Sequence, residues 1–256
     1  MPLPDKNKLI PSLSIAFKGI IWRVETDDKL PIVAIETRDI SNRITYYSAF
    51  NFQTGACLFK EVTVQDSWFW SINRIHKGLI FLHSYVHEGS PEHKGIIAIN
   101  LSGTIEWQHF HKTLEDVAAQ GLIIYNPKIQ PKSFELASPE DGSTIHSNVK
   151  DYQYIERDII IPDVVDDFVG ISNFLPENSF GPIFFTHFNF KNIMVYHIKN
   201  ENYFDQQLAV YQDGELLLED NLALGIQKLN PEAFFIERSH LFYIRNDKHD
   251  FVSYLV

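Results

Sequence analysis

A chain of 256 residues, of which 45% are hydrophobic, is long enough to bury a large core without a disulfide or a structural metal. The single cysteine excludes an internal disulfide, and the formal charge of −11 disfavours a nucleic-acid partner, because phosphate binding depends on Lys and Arg. No apolar run is long enough to span a bilayer, and the stretch before Lys18 lacks a signal-peptide core. We therefore expect one domain, residues 1–256, in the cytoplasm, with no membrane or nucleic-acid partner.

Short apolar runs separated by polar turns predict strands along the whole chain. Aromatic residues are abundant, with 20 Phe, 11 Tyr and 4 Trp, and such rings suit half-buried pleated surfaces. Few helical periods lie between the runs, so the sequence predicts an all-β protein. In chain order the predicted strands are residues 14–22, 32–35, 44–47, 68–74, 79–85, 96–100, 105–109, 122–125, 183–188, 193–198, 208–211, 241–244 and 251–256.

A glycine-bearing turn recurs between neighbouring strands. It is found at Gly55, Gly103 and Gly214, and a shorter copy surrounds Gly19. Glycine supplies the positive φ of tight hairpins, so each copy marks the last hairpin of a repeated antiparallel sheet. With Gly142 as a further marker, the successive intervals from residue 55 to residue 214 are 48, 39 and 72 residues. The first two match a repeat of one sheet each, and the third is expected to contain an insertion.

The size of the repeat indicates a propeller. Four antiparallel strands in about 40 to 50 residues correspond to one blade of a β-propeller. The strands at 241–244 and 251–256 lack a fourth partner, and the strand at 14–22 lacks a sheet of its own. Pairing the chain ends would complete the last blade and remove two sheet edges. The predicted fold is an all-β propeller of about five four-stranded blades, its ring closed by the N-terminal strand, with four or six blades as the alternative.

Two of these turn segments also point to a family. Residues 53–59, QTGACLF, and residues 97–107, IAINLSGTIEW, resemble the repeats of quinoprotein-like β-propellers, in which an Ala-Leu-Asp-x-x-Thr-Gly-x-x-x-Trp phrase caps each blade. The resemblance covers about three blades and implies the fold, since such repeats also build binding and assembly proteins. The chain is shorter than the large ring of the quinone-dependent dehydrogenases and has no vicinal cysteine pair. We expect no cofactor.

Acidic residues recur just before apolar pairs that begin predicted repeats, with Asp28 as a further counterpart. If they open the innermost strand of each blade, their carboxylates converge at one mouth of the central channel. There they could hold a hard cation, dock a cationic ligand or hydrolyse a glycoside. The alternative is an Asx turn that keeps a sheet edge soluble. The acidic candidates for ligand binding are Asp66, Asp116, Asp167 and Glu232.

An aromatic residue joins this candidate set. Trp68 follows Asp66 closely and adjoins Phe69 and Trp70. Rings at a channel mouth suit a sugar or a peptide, whereas packing between sheets also uses large flat rings. Trp68 is therefore a candidate binding residue with core packing as the alternative.

Histidines occur in two close pairs, His83 with His87 and His109 with His111. Alternate residues of a strand share a face, so each pair could present two imidazoles together. Without a cysteine or a third ligand these pairs are poor zinc signatures, and partly buried structural histidines are the better interpretation. We predict no metal. The sequence also lacks a phosphate-binding glycine loop and the HExxH, CxxC and GxSxG motifs.

The sequence thus favours a non-enzymatic binding or scaffold propeller that engages a protein or a small ligand at one face of the central channel. The alternative is an enzyme of the glycoside hydrolase type that uses the channel-mouth carboxylates. Two carboxyl groups about 5 to 9.5 Å apart in an open pocket would favour the enzyme. No catalytic residue is identified, the partner is unknown, and a monomer is expected.

Overall fold

The computed structural model describes residues 9–89, 92–147, 150–165 and 172–256. Its regular structure is almost entirely β, as predicted, with short 3-10 turns at Ser67–Phe69 and Ser172–Phe174. The first strands are β1 (Pro11–Ala16), β2 (Ile20–Thr26), β3 (Ile32–Asp39), β4 (Ile44–Asn51) and β5 (Cys57–Val62). They are followed by β6 (Trp70–His76), β7 (Leu79–Tyr85), β8 (His93–Ile99), β9 (Ile105–His109), β10 (Thr113–Ala118), β11 (Gly121–Tyr125), β12 (Phe134–Ala137) and β13 (Thr144–Ser147). The remaining strands are β14 (Asp163–Val165), β15 (Ser179–Phe188), β16 (Lys191–Asn200), β17 (Tyr203–Gln212), β18 (Glu215–Ile226), β19 (Phe234–Glu237), β20 (His240–Arg245) and β21 (Asp250–Leu255).

The strands form five separate antiparallel sheets in two compact units. The unit Lys18–Arg157 contains three four-stranded sheets, β2-β3-β4-β5, β6-β7-β8-β9 and β10-β11-β12-β13. The other unit combines Met1–Phe17 with Asp158–Val256 and contains β14-β15-β16-β17-β18 and β1-β21-β20-β19. Within each sheet neighbouring strands are mostly consecutive in the chain, because short hairpins link them.

The glycine turns are confirmed as hairpin markers at four of the five predicted positions, whereas the turn at Gly19 links β1 and β2, which belong to different sheets. Gly55, Gly103, Gly142 and Gly214 all have positive φ, and they lie in the turns before β5, β9, β13 and β18. Each therefore precedes the last strand of its sheet. The asparagine before two of these turns fixes the geometry: the side-chain oxygen of Asn51 accepts hydrogen bonds from the backbone of Gln53 and Thr54. The repeat seen in the sequence is thus a recurring hairpin turn with a glycine at positive φ.

The expected single strand at 14–22 is wrong, because the chain divides there into β1 and β2, which belong to different sheets. Gly19 lies between them, and a Cβ at this position would come 2.9 Å from the carbonyl oxygen of Arg38. β1 pairs with β21 through Leu13 opposite Ser253 and Ile15 opposite Phe251. The N-terminal strand therefore completes the last four-stranded sheet, as predicted.

Each unit has its own apolar cores. In Lys18–Arg157, one cluster includes Ile72, Ile80 and Leu82, and another includes Phe81, Ile96 and Leu122. In the other unit, Val195, Leu208 and Leu241 belong to one cluster. The middle strands are buried on both faces, so their sequences are nearly continuous apolar runs rather than alternating ones. Across the described ranges, no helix has the length and apolarity needed to cross a membrane.

Candidate functional site

A partly open cleft of about 1160 Å³ lies within the unit Lys18–Arg157. Its walls come from strands β2, β6, β7, β8, β10 and β11 and from the segments that follow β7, β9 and β11. A volume of this order can take a small organic ligand, since ligand pockets commonly measure about 300–1,000 Å³. The cleft is therefore the candidate functional site of this unit.

A β-bulge in β8 shapes one wall of the cleft. His83 on β7 pairs with Ile96 and Ser84 pairs with Lys94, so Gly95 is an extra residue on β8. Gly95 has a φ of 72°, and a Cβ there would come 2.8 Å from Cη2 of Trp70. A glycine in the left-handed region is typical of a bulge that redirects neighbouring side chains. The missing side chain lets the Trp70 indole lie against the β8 backbone.

His83 is the most unusual side chain of the cleft. Only 2% of its surface is exposed, and neither ring nitrogen has a hydrogen-bond partner. Its ring stacks on His93 with 3.8 Å between centroids, and Tyr85 meets it edge-on at 5.1 Å. Burial lowers the pKa of His83 to about 3, helped by repulsion from His93 and Arg23. The imidazole is therefore neutral at pH 7, with one N–H donor and one acceptor nitrogen that no protein group bonds.

His93 is half-buried and faces the same cleft. Burial lowers the pKa of His93 as well, and the charge of Arg23 adds to the effect. Arg23 donates from its Nη2 to Glu25 over 2.9 Å and to the backbone oxygen of Asn73 over 3.4 Å. The stacked imidazoles are thus held neutral beside a fixed guanidinium.

Aromatic side chains form the apolar part of the lining. Trp70 is 6% exposed, whereas Phe110 is 56% exposed and meets the Trp70 ring edge-on at 6.4 Å. On another wall, the ammonium of Lys132 lies 3.9 Å from the centroid of the Tyr125 ring. Large rings beside a few polar groups are typical of sites that bind organic ligands.

Asp66 and Trp68, the candidates nearest to β6, differ in their surroundings. Asp66 is exposed, has a φ of 52° and precedes the 3-10 turn without capping it through its side chain. Trp68 lies in that turn, half-buried, with the guanidinium of Arg43 5.0 Å from its ring centroid and that of Arg38 at 5.3 Å. Trp68 is thus packed against cations.

The other acidic candidates have different surroundings. The sequence predicts that Asp116 lies just before a strand, and this is wrong. Asp116 lies inside β10, where it accepts a hydrogen bond from Nε of Arg74 over 3.3 Å. Within the described ranges no hydrogen bond or ion pair joins Asp116 to Asp66. Glu232, in the other unit, precedes β19 and pairs with Lys248 over 2.6 Å. Asp167 lies outside the described residues.

The histidines meet across strands rather than along them. His83 stacks on His93, ten residues away, while His87 is exposed and contacts the backbone of Glu88. His109 shares a 2.8 Å hydrogen bond with the backbone oxygen of Gly142. Sequence reasoning missed His93 because alternation along one strand says nothing about the bulge that brings the next strand into register. The hairpin linking β7 and β8 was the available signal.

No group of three or more His, Cys, Asp or Glu side chains in the described parts of the chain is arranged to hold a metal ion. The cleft lining combines neutral imidazoles, charged side chains of both signs and aromatic rings.

Comparisons with known proteins give a partial match. A model described as a domain of unknown function, DUF4905, matches residues 26–107, which include Trp70, His83, His93 and Gly95. The search of curated proteins finds no match. The chain is also similar to the uncharacterized protein lmo1340 from Listeria monocytogenes EGD-e, known from a crystal structure at 1.18 Å resolution. That match covers 93% of this chain and 83% of the other at 11% identity, and its TM-score of 0.34 establishes neither fold nor function.

Proposed function

We propose that the protein is a non-enzymatic binding protein that holds a small organic ligand in the cleft of the unit Lys18–Arg157. The observation that carries the proposal is His83, whose two ring nitrogens are buried in the cleft lining without a partner. A buried polar group without a hydrogen bond costs roughly 1–3 kcal/mol. A ligand that bonds to the imidazole offsets this cost, so the group is retained for recognition at the expense of stability.

Other features of the cleft support a small ligand over a protein partner. The site is concave, and its aromatic rings, Trp70, Phe110 and Tyr125, are placed on its walls. Protein interfaces of standard size instead need about 800 Å² of surface on each side. The neutral state of His83 and His93 lets each ring donate one hydrogen bond and accept another.

The glycoside hydrolase remains the alternative. It needs an acid and a second carboxylate beside an open pocket. Glu115 lines the cleft and pairs with Lys132 over 2.7 Å, and its neighbour Asp116 is bonded to Arg74. Carboxylates engaged by cations serve binding or structure more readily than proton donation, because a nearby cation favours the ionised form. Hydrolysis of p-nitrophenyl glycosides that is lost in Asp116→Asn would favour the enzyme.

The binding proposal predicts opposite effects of His83→Leu on stability and on ligand retention. The variant removes two unpartnered polar atoms from a buried site, so we expect the ligand-free protein to keep its Tm or gain a few degrees. We also expect at least a tenfold loss of whichever small molecule is retained by the wild-type protein. Both proteins are purified in parallel, and the small molecules released on denaturation are compared by mass spectrometry.

The difference in stability should depend on pH. The unfolded chain protonates a histidine below about pH 6.5, whereas the folded His83 resists protonation until about pH 3. The wild-type protein therefore loses stability as pH falls through this window, and His83→Leu lacks that loss. A variant that is several degrees less stable at every pH, with the same small-molecule content as wild type, would contradict the proposal.

We further propose that the five sheets are blades of one quinoprotein-like β-propeller, a single monomeric domain with a closed ring. Support comes from the sheets themselves, which are runs of antiparallel strands ending in glycine hairpins, and from β1, which supplies the fourth strand of the last sheet. Pairing of this kind is what ring closure requires, because it leaves no open edge between the first and last blades.

A compact propeller of 256 residues predicts a radius of gyration of about 18 Å. Small-angle X-ray scattering measures this radius together with the molecular mass, which should match the 29.7 kDa of one chain. A clearly larger radius at that mass would indicate two units that move separately, and twice the mass would show a dimer.

A further inference from the structure

The charge of the cleft lining is opposite to that of the whole chain. The lining contains five cationic side chains, Arg23, Arg74, Lys94, Lys128 and Lys132, and two acidic ones, Glu92 and Glu115. The chain as a whole carries 22 cationic and 33 acidic residues. Positive charge is therefore gathered at a cleft that a small ligand can enter. Clefts lined by one sign of charge concentrate ligands of the other sign.

Part of this charge is neutralised inside the protein and part is free to act on a ligand. Arg23 bonds to Glu25, Arg74 bonds to Asp116, and Lys132 bonds to Glu115. The side chains of Lys94 and Lys128 are exposed, and in the described structure neither ammonium makes an ion pair. The paired cations have fixed positions, and the two unpaired lysines supply the excess charge.

The hydrogen-bond donors and the aromatic rings of the cleft also suit an anionic ligand. Arg23 lies close enough to His83 and His93 to disfavour their protonated forms. A neutral imidazole has one N–H that can donate a hydrogen bond to an anionic group, and it adds no negative charge to the lining. Trp70 and Phe110 stand along the same lining and offer apolar faces. An anionic group and a planar ring carried by one molecule would be matched by these two kinds of residue.

We propose that the ligand of this cleft is a small organic anion carrying a planar ring. The anionic group is recognised by the cationic lining with the buried His83 as a hydrogen-bond donor, and the ring packs against the aromatic wall. This inference rests on the proposed binding function and names its ligand class. A carboxylate and a phosphate share the required chemistry, since both accept charge-assisted hydrogen bonds.

Three probes that differ in charge but share one ring test the inference. They are 4-fluorobenzoate, 4-fluorobenzamide and 4-fluorobenzamidine, which are anionic, neutral and cationic. Binding to the 256-residue chain is followed by fluorine NMR line broadening. We expect the benzoate to bind at least about tenfold more tightly than the benzamide, because charge-assisted hydrogen bonds are about twice as strong as neutral ones. The benzamidine should bind most weakly.

Variants of the unpaired lysines identify the source of the preference. In Lys94→Gln with Lys128→Gln, benzoate affinity should fall about three- to tenfold while benzamide affinity stays unchanged. Lys77→Gln is the matched control, because this exposed lysine of the same unit is not part of the lining. Raising the salt concentration from 50 to 500 mM should weaken benzoate binding and leave benzamide binding unaffected, since salt screens exposed charges.

The outcomes separate this inference from the function on which it rests. Equal binding of the three probes, lost in His83→Leu, would overturn the anion preference and leave the binding cleft standing. Stronger binding of the benzamidine would also overturn it. Absence of broadening with every probe would overturn the ligand class, and the comparison of co-purified molecules would then decide the binding function by itself.

Discussion

Replacing Glu36 by alanine should lower the free energy of unfolding by about 3–5 kcal/mol, the range found when one partner of a buried ion pair is removed. Glu36 lies on β3 with none of its surface exposed. Its Oε1 accepts a hydrogen bond from Nε of Arg38 over 2.9 Å, and its Oε2 accepts bonds from Oγ of Ser71 over 2.7 Å and from the backbone N–H of Ile72 over 2.9 Å. One carboxylate therefore joins the sheet of β3 to the sheet of β6.

The cost arises from the groups that Glu36→Ala leaves behind. Arg38 is 8% exposed and would keep a charge without its carboxylate, and two donors on the neighbouring sheet would lose their acceptor. Urea unfolding and thermal melting measure the change, which corresponds to a Tm lower by roughly 10 °C for a chain of this size.

An exposed pair of the same type provides the control. Glu88 accepts a hydrogen bond from Nη2 of Arg43 over 3.0 Å, with 64% and 53% of the two side chains exposed. Water screens such pairs, so Glu88→Ala should leave the Tm almost unchanged. Equal effects of Glu36→Ala and Glu88→Ala would show that burial does not set the strength of the inner pair.

Local chemistry explains why most strands could be predicted. The predicted strand 79–85 is β7 with the same bounds, and 105–109 is β9, because apolar residues and turn residues mark both ends. Hairpin glycines are equally local, since the φ required at Gly103 depends on the turn alone. Such local signals can be read from the sequence because they do not depend on the rest of the fold.

The errors concern features that depend on distant parts of the chain. The glycine turn at Gly19 was visible in the sequence, but the close approach of the Arg38 carbonyl from β3, and the passage of the chain to another sheet, were not. Asp116 lies within β10 because a register shift between Leu114 and Asp116 extends the strand through a polar stretch.

The candidate site depended on tertiary structure even more strongly. The sequence drew attention to His83 and to the aromatic run ending at Trp70. The site also needs His93 and Phe110, which approach them only after the bulge at Gly95 and the hairpins have formed. The cleft, with its buried imidazole and its local excess of cations, is therefore a property of the packed sheets.

Gly95→Ala should destabilise the protein by about 3 kcal/mol and weaken ligand binding in the cleft. An alanine with positive φ costs roughly 1–2 kcal/mol, and overpacking a filled site costs roughly 1–3 kcal/mol more. The added Cβ would come 2.8 Å from Cη2 of Trp70, so the indole must move toward the cleft that it lines. Urea unfolding gives the stability change, and broadening of the fluorinated probe gives the change in binding.

Two controls separate backbone strain from the contact with Trp70. Gly214 has a φ of 85° and open space around its Cβ position, so Gly214→Ala should show the backbone cost alone, about 1 kcal/mol. Trp70→Phe removes the atom that the new Cβ would meet, so Gly95→Ala should cost less in that background than in the wild type. If the two glycine variants lose the same stability, and Trp70→Phe leaves the cost of Gly95→Ala unchanged, the bulge glycine is required for its φ alone and does not seat the indole in the wall of the cleft.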